Sequence, residues 1–306
     1  MIDYDILIVG GVGVDTIVRV DRLEVPADRD SVGVPPVVDY PAHTGNGVAL
    51  GCHALGLRTK FADFLGADPQ GELILAEYAR RGLDFSHLPA PAGTPRSVNL
   101  VDRDGLRFSF YDGRHPADAR LPREFWLPLL ERTRHVHLSI TNVNREMYPE
   151  IHRLGRSSST DLHTWDGQQE HHRAYAFGSD LVFLSAAAVG GRPEAVMRTV
   201  LAQGRAELVV ATAGAAGSFL LTREDELPRH FPALDPGAPI VDSNGAGDAF
   251  VSGFLSRHLA GRPVEECMRA GALAGAFACT TAGTHTAFLD AAGLQAALNS
   301  AASPSR

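Results

Sequence analysis

The stretch Asp242-Ser-Asn-Gly-Ala-Gly-Asp-Ala-Phe-Val-Ser-Gly-Phe-Leu255 carries the most informative pattern in the chain. Small residues at Gly245, Ala246 and Gly247 open an apolar helix. Free backbone N–H groups and the positive end of the helix dipole therefore converge where an anion can sit. Asp248 lies inside the first turn and would repel a resting phosphate, so its economical role is that of a general base that takes a proton from an attacking hydroxyl. The alternative is an ordinary acidic residue at the start of a helix.

Short apolar runs alternate with helical patterns along most of the chain, which is typical of a layered α/β fold with a largely parallel sheet. The predicted strands are Ile6–Gly10, Thr59–Phe64, His135–Ile140, Ser158–Leu162, Asp180–Leu184, Leu208–Ala211 and Ser218–Leu221. The predicted helices are Gly47–Leu55, Gln70–Arg81, Arg123–Arg132, Arg145–Leu154, Pro193–Gln203, Ala246–Leu259, Val264–Cys279 and Ala291–Asn299.

Residues 14–41 and 94–112 break this alternation, because they contain several β-type runs and little helical periodicity. The runs are Thr16–Val20, Ser31–Val38, Ser97–Val101 and Arg107–Tyr111. Since the two segments flank one βα unit, they could pair into a small sheet that stands off the main core as a lid. The chain shows no internal repeat or low-complexity linker, so residues 1–306 are predicted to form a single domain with this lid inserted.

Composition restricts the classes of partner. The 306 residues include 28 Lys and Arg against 36 Asp and Glu, a net charge of −8, which speaks against binding a nucleic acid or an anionic membrane by bulk charge. The start, MIDYDILIVG, lacks the basic region of a signal peptide, and the sequence contains no apolar run of the ~18 residues that a bilayer span needs. Three cysteines are too few for a disulfide framework. We therefore expect a cytoplasmic protein with reduced thiols.

The segment from Asp242 to Leu255 resembles the C-terminal signature of the PfkB family of carbohydrate and nucleoside kinases, although the family usually has Thr at the positions of Ser243 and Asn244. The similarity extends from about residue 5 to about residue 290. It implies a three-layer ribokinase-like fold, with a mostly parallel sheet flanked by helices and a small β-sheet lid. It also implies ATP-dependent phosphorylation of a hydroxyl group, with Asp248 as catalytic base and the residues from Gly245 to Gly247 as the anion hole.

The substrate end follows the family less closely. By the resemblance, Asp15 would hydrogen-bond the hydroxyls of the acceptor, next to a loop formed by Gly45, Asn46 and Gly47. The family usually has a Gly-Gly pair before this helix, but an alanine and His43 take its place here. Gly47 stands where the family has Asn, and Asn46 comes one residue early, so its side chain would point about 100° away around the helix. His43 is therefore either a substrate contact or a steric filler.

The nucleotide end is predicted from a strand, a glycine turn and a second strand. This pattern alone indicates only a hairpin, but the resemblance implies that Thr212, Gly214 and Gly217 contact ATP. Many family members carry Asn-x-x-Glu, tied to Mg²⁺, where this chain has Ser185-Ala-Ala-Ala-Val189. Mg²⁺ would then be held by nucleotide phosphates and water, and no direct protein ligand is predicted. In some members a monovalent cation binds near the first Asp of the signature, and Asp242 keeps that option open.

Thirteen histidines raise the alternative of a zinc site, with His135 and His137 on one face of a strand. The spacing fixes no third ligand, and hydrogen-bonded histidines are commoner. A second cluster consists of His163, Asp166, His171 and His172. His163 and Trp165 could instead approach the phosphate end of the substrate.

The preferred interpretation is a kinase that phosphorylates a sugar or sugar-like small molecule with Mg·ATP. The alternatives are a nucleoside kinase of the same fold and a non-catalytic binding or regulatory module, the latter suggested by the missing carboxylate and the changed glycine pair. Asp248 separates the two classes, because a chain that drifts away from catalysis should not keep the base and its anion hole. Exposed strand edges on the lid favour a homodimer.

Overall fold

The computed structural model describes residues 2–25, 27–103 and 105–300. The strands are β1 (Tyr4–Val9), β2 (Gly13–Arg19), β3 (Val38–Ala42), β4 (Thr59–Leu65), β5 (Asp84–Pro89), β6 (Arg96–Val101), β7 (Arg107–Asp112), β8 (Thr133–Ser139), β9 (Ser157–Asp161), β10 (Leu181–Ser185), β11 (Leu208–Thr212), β12 (Ser218–Thr222) and β13 (Arg229–Phe231). The helices are α1 (Thr44–Ala54), α2 (Pro69–Arg81), α3 (Arg123–Glu131), α4 (Tyr148–Arg153), α5 (Glu170–Gly178), α6 (Glu194–Gln203), α7 (Ala246–His258), α8 (Val264–Ala278) and α9 (Ala291–Ser300).

The described residues form one large sheet in the order β13-β12-β11-β10-β9-β8-β1-β4-β5. The strands from β11 to β5 run parallel, whereas β12 and β13 complete one edge in antiparallel pairing. After β1 the chain adds β4 and β5 on one side of this strand, and it later adds β8 and β9 on the other side. The strand order therefore reverses at β1. In parallel sheets ligands bind beyond the carboxyl ends of the strands at such a reversal.

Alternating side chains of the central strands feed two cores. Leu7 and Val9 of β1 pack with side chains of α3, α4, α5 and α6, whereas Ile6 and Ile8 pack with α1, α2, α7 and α8. A parallel sheet must be covered on both faces, which explains why these strands are apolar on both sides. Small residues hold α7 close to α8, since a Cβ at Gly253 would lie 2.5 Å from the carbonyl oxygen of Ala270. The predicted three-layer α/β fold is confirmed.

A second sheet has the order β3-β2-β6-β7 and forms a separate layer, called here the small sheet. Its strand β2 pairs parallel with β6 and antiparallel with β3. One face carries Val98, Phe108 and Phe110 at the surface, with Phe110 58% exposed. The predicted small β-sheet is therefore present.

Some sequence predictions were wrong in detail. Residues 31–37 form no strand, and β3 begins only at Val38. Two prolines at positions 35 and 36 explain this, because proline lacks the N–H group that a strand ladder uses. The sequence predictions missed β5, β13 and α5, whose segments are short or rich in polar residues. None of the helices in the described part of the chain is both long enough and apolar enough to span a membrane.

Candidate active site

Glycines bring two chain segments together at the carboxyl end of β1. Gly10 and Gly11 follow the strand with φ of +82° and +86°, a region that favours glycine. A Cβ at Gly45, in the first turn of α1, would overlap the carbonyl oxygen of Gly10. The backbone N–H of Asn46 donates to the Gly11 carbonyl at 3.0 Å. The start of α1 is thus fixed above the end of β1, at the place where the strand order predicts a ligand.

The start of α7 lies beside this point. Gly245 precedes the helix with φ of +78°, and Asp248 lies in the first turn. Among the described residues no side chain caps this end of α7. A Cβ at Gly247 would meet no atom within 4 Å, so the backbone there is open to a ligand. This end of α7 therefore presents free backbone N–H groups at an open position, an arrangement that can receive an anion.

His285 contacts Asp248 and was missed by the sequence analysis. Its Nε2 lies 2.7 Å from Asp248 Oδ2, and its side chain is only 2% exposed. A Cβ at Gly47 would overlap His285 Nε2 and would lie 2.6 Å from Asp248 Cβ. The departure of Gly47 from the family pattern could have signalled a new neighbour, because a larger residue there would exclude the imidazole.

Asn46 is buried and has protein partners for both ends of its amide. Its Nδ2 lies 3.1 Å from the carbonyl oxygen of Pro41 and 2.9 Å from His285 Nδ1. Its Oδ1 accepts a hydrogen bond of 2.7 Å from the Tyr78 hydroxyl. The residues from Gly45 to Gly47, expected as a loop, are the first turn of α1, which begins at Thr44. The structure therefore links Asn46 to Asp248 through His285.

Asp15 and His43 define the end of the site under the small sheet. Asp15 Oδ2 accepts a hydrogen bond of 3.1 Å from Thr284, and His43 Nε2 lies 3.7 Å from Asp15 Oδ1. His43 also lies 3.2 Å from the Ser97 hydroxyl of β6. Burial lowers the pKa of His43 below its usual range, against the opposing effect of the Asp15 charge. A neutral imidazole beside a carboxylate offers donors and acceptors suited to sugar hydroxyls.

His163 and Asp161 complete the floor at the end of β9. His163 Nε2 lies 3.0 Å from the Thr44 hydroxyl at the start of α1, and its backbone N–H donates to Asp161 Oδ1 at 2.8 Å. Desolvation raises the pKa of Asp161, His163 opposes this effect, and the charge of Asp248 adds to it. Trp165 does not share this position: it is buried in the core and donates to the Gln169 carbonyl, so the expectation that it approaches the substrate was wrong.

The residues predicted to bind the nucleotide lie at the carboxyl end of β11, several strands away from β1 in the large sheet. Thr212 ends β11, and Gly214 and Gly217 form the turn into β12. Gly217 has φ of +92°, and a Cβ there would overlap the Phe231 carbonyl oxygen. A Cβ at Gly214 would meet no atom within 4 Å, so this backbone faces open space. Residues of the segments 244–245 and 278–288 pack closely beside the start of α7 and leave no space between them for a water molecule.

Asp242 is held by three hydrogen bonds in the structure. Arg19 Nη2 donates to its Oδ2 at 2.7 Å, and the Gly283 N–H donates to the same oxygen at 3.2 Å. The Asn244 N–H donates to Oδ1 at 3.0 Å. A monovalent cation at this carboxylate would therefore share it with a guanidinium group that the sequence analysis did not place there.

The buried histidines of β8 form hydrogen bonds with serine hydroxyls of β9. His135 contacts the hydroxyls of Ser157 and Ser159, each at 2.8 Å, and His137 Nδ1 lies 2.9 Å from Ser159. Within the described ranges, no group of three or more His, Cys, Asp and Glu side chains is arranged to hold a metal ion. Both ring nitrogens of His135 and Nδ1 of His137 thus have serine partners, whereas the buried Nε2 of His137 has no hydrogen-bond partner among the described residues.

Comparisons with known proteins give a consistent result. A family model described as pfkB family carbohydrate kinase matches residues 5–291. The acarbose 7(IV)-phosphotransferase of Actinoplanes sp. strain SE50/110 is 49% identical over 291 residues, which cover 95% of this chain and 97% of that protein. The solved structure of a microbiome-derived acarbose kinase is 47% identical with a TM-score of 0.89, covering 97% and 99%. The ribokinase of Thermotoga maritima shares the fold at 20% identity, with a TM-score of 0.79 and coverage of 97% and 99%.

Proposed function

Because the chain belongs to the pfkB family of carbohydrate kinases and phosphorylates a hydroxyl group of a sugar or sugar-like small molecule, we propose that ATP is its donor and acarbose its acceptor. The observation that carries the acceptor is 49% identity to an acarbose phosphotransferase across 95% of the chain. The altered substrate end supports it, since His43 supplies a polar side chain where the family pattern has a glycine, close to Asp15. A large acceptor rich in hydroxyl groups suits such a site.

In the proposed reaction, Asp248 accepts the proton of the attacking hydroxyl. The acceptor oxygen then forms its bond to the γ-phosphorus, and the bond from that phosphorus to the bridging oxygen breaks, which releases ADP. Backbone N–H groups from Gly245 to Gly247 stabilise the charge on the transferred group. Asp15 and His43 orient the acceptor. We propose that the small sheet acts as a lid over it, because exclusion of water prevents loss of the phosphoryl group to hydrolysis.

The donor site is proposed from open backbone. Thr212, Gly214 and Gly217 would contact the nucleotide, and the lack of side chains around Gly214 and Gly247 leaves room for phosphates. Mg²⁺ would supply charge neutralisation to the phosphates and would be held by them and by water. Because the reaction would consume ATP, we propose that the protein acts in the cytoplasm.

Release of ADP from Mg·ATP tests the proposed function directly. The purified chain is incubated with acarbose, maltose, ribose or adenosine, and the product is located by mass spectrometry and phosphorus NMR. We expect turnover with acarbose and a monophosphate at its 7(IV) hydroxyl. Phosphorylation of adenosine but of none of the sugars would contradict the proposal and would indicate a nucleoside kinase. Tight binding of an acceptor without turnover would favour the non-catalytic module.

Asp248→Asn is the matched variant, because it keeps the shape and removes the base. We expect kcat to fall by about 10²- to 10⁴-fold, the usual contribution of a general base, with little change in the KM for ATP. Turnover at the rate of the unaltered enzyme would remove Asp248 from the mechanism.

We also propose a homodimer formed through the small sheet. Phe108 and Phe110 are 53% and 58% exposed beside Val98, and β7 is an edge strand. Such an edge with apolar side chains is stabilised by pairing with a second copy. Light scattering after gel filtration should give twice the chain mass, and Phe108→Ser with Phe110→Ser should give a monomer. A monomeric parent protein would contradict this arrangement.

A further inference from the structure

The carboxylate of Asp248 contacts His285, a residue to which the proposed reaction assigns no role. His285 Nε2 lies 2.7 Å from Asp248 Oδ2, in a side chain that is 2% exposed. The backbone of His285 has φ of +56°, which costs energy for any residue with a Cβ. Strain of this kind persists only where the surroundings impose it, and it concentrates at functional sites. The contact is therefore held in place by the structure around it.

The hydrogen bonds of Asn46 define the protonation of His285. The carbonyl oxygen of Pro41 can only accept, so the amide atom 3.1 Å from it must be Nδ2 of Asn46. The opposite end, Oδ1, accepts from the Tyr78 hydroxyl at 2.7 Å. The second N–H of Nδ2 points at His285 Nδ1, 2.9 Å away. Because Nδ1 accepts this bond, the proton of the neutral imidazole lies on Nε2 and is donated to Asp248.

The contact with Asn46 also leaves Nδ1 of His285 only the role of acceptor, because a donor there would face the N–H of Asn46 across 2.9 Å. His285 therefore offers an acceptor to Asn46 and a donor to Asp248.

Two glycines make room for the ring. A Cβ at Gly47 would overlap Nε2 of His285, and a Cβ at Gly245 would lie 2.6 Å from its Cδ2. Gly47 is the position at which the chain departs from the Asn expected by resemblance. The departure and the histidine thus form one structural unit.

We propose that His285 is a positioning residue for the catalytic base, an inference that rests on the proposed role of Asp248. Its neutral Nε2–H holds Oδ2, which fixes the rotation of the carboxylate and leaves Oδ1 to accept the proton of the acceptor hydroxyl. Asn46 and Tyr78 act one step further away by keeping the imidazole in the donor tautomer.

Kinetics of two variants test this role. His285→Phe keeps a ring without an N–H, and we expect kcat to fall by about 10- to 100-fold with KM values for both substrates within about twofold, because a misaligned reactive group loses rate rather than binding. His285→Gln keeps one N–H near the same place and should recover most of kcat with an unchanged pH profile. His53→Gln, in a half-buried histidine bonded to the Arg81 carbonyl, is the matched control and should behave as the parent.

A parent-like kcat in His285→Phe would overturn the proposal. So would a His285→Gln variant as slow as His285→Phe, because that result would mean that a titrating proton, and not a hydrogen bond, is what matters. Melting temperatures of all variants identify any that fail to fold.

A nitrogen NMR spectrum of the unaltered enzyme with ¹⁵N-labelled histidine supplies a readout that needs no turnover, with His285→Gln used for assignment. We expect a neutral His285 with the proton on Nε2, and a proton on Nδ1 would overturn the proposal. If no acceptor is phosphorylated at all, the proposed function fails, while this spectrum still reports the state of His285.

Discussion

Arg19 and Asp242 join the small sheet to the loop that opens α7. Arg19 is the last residue of β2, and its Nη2 lies 2.7 Å from Asp242 Oδ2, whose side chain is 3% exposed. A second contact lies nearby, where Arg107 of β7 donates to Asn244 Oδ1 at 2.7 Å. The small sheet is therefore tied twice to the residues that precede the anion hole. A displacement of this sheet would be transmitted to the start of α7 through both arginines.

Replacing Arg19 with Met should reveal whether the guanidinium supplies the positive charge at Asp242. In the parent enzyme we expect equal rates in K⁺, Na⁺ and an organic-cation buffer. In Arg19→Met the buried carboxylate has lost its cation, so we expect kcat/KM to fall by about tenfold and K⁺ to restore part of it. The measurement is ADP release in matched salts.

Arg29→Met serves as the control, because Arg29 pairs only with its exposed neighbour Asp28 among the described residues. Strong K⁺ stimulation of the parent enzyme would contradict the role given to Arg19. It would instead favour a monovalent cation at Asp242.

Gly47→Ala tests the space that His285 occupies. The added methyl group would overlap His285 Nε2 and lie 2.6 Å from Asp248 Cβ, so we expect a loss of about 1–3 kcal/mol in the free energy of unfolding. In a His285→Ala background the overlap with the imidazole is gone while the contact with Asp248 remains, so the loss should be smaller. Urea unfolding of the four proteins of this cycle gives the coupling directly.

Gly33→Ala is the matched control, since a Cβ at Gly33 would meet no atom within 4 Å. Equal losses in the two backgrounds would show that the imidazole and Gly47 do not share this space.

The parts of the site that could be predicted are those encoded by neighbouring residues. The turn from Gly245 to Asp248 combines small residues, a helix start and a carboxylate within one local pattern, so the helix start was predicted correctly and a chemical role could be proposed without a fold. Leu7 and Ile8 of β1 likewise enter different cores, so the strand is a short run of apolar residues that can be recognised in the sequence. Local patterns of this kind predicted the main sheet and most helices.

His285 could not be found in that way, because its partners come from distant parts of the chain. Asn46 and Asp248 lie 239 and 37 residues away from it. No local pattern records that three such segments meet. Asn46 shows the same limit: the sequence suggested a contact with substrate, whereas the fold turns its amide toward Tyr78 and the imidazole.

His137 should make the protein less stable in acid. Burial lowers the pKa of His137 to about 4, whereas an unfolded chain takes up a proton near the ordinary value of 6.5. The folded state therefore binds fewer protons between these values, and its stability falls as the pH drops from 6.5 toward 4. The difference of about 2.5 pKa units corresponds to about 3 kcal/mol. His137→Asn, which retains a group able to bond Ser159, should lose that part of the slope.

Urea unfolding at pH 7.5 and pH 5 measures this slope, with His53→Gln as the control. An identical pH dependence in parent and His137→Asn would show that this histidine does not contribute.

Asp63 should act in the opposite direction. Its carboxylate accepts the backbone N–H groups of Val12 at 2.9 Å and Phe64 at 2.8 Å, yet burial raises its pKa from 3.8 to about 7. The folded state then holds a proton that the unfolded chain has released, so stability falls as the pH rises from about 4 to about 7, by up to about 4 kcal/mol. Asp63→Asn cannot ionise and should abolish this fall, whereas Asp30→Asn, at an exposed carboxylate, should leave it unchanged. Because the same residue fixes the loop after β1 that leads to Asp15, we also expect a higher KM for the acceptor in Asp63→Asn. An unaltered slope in the unfolding free energy between pH 5 and pH 7 would mean that Asp63 is ionised throughout that range.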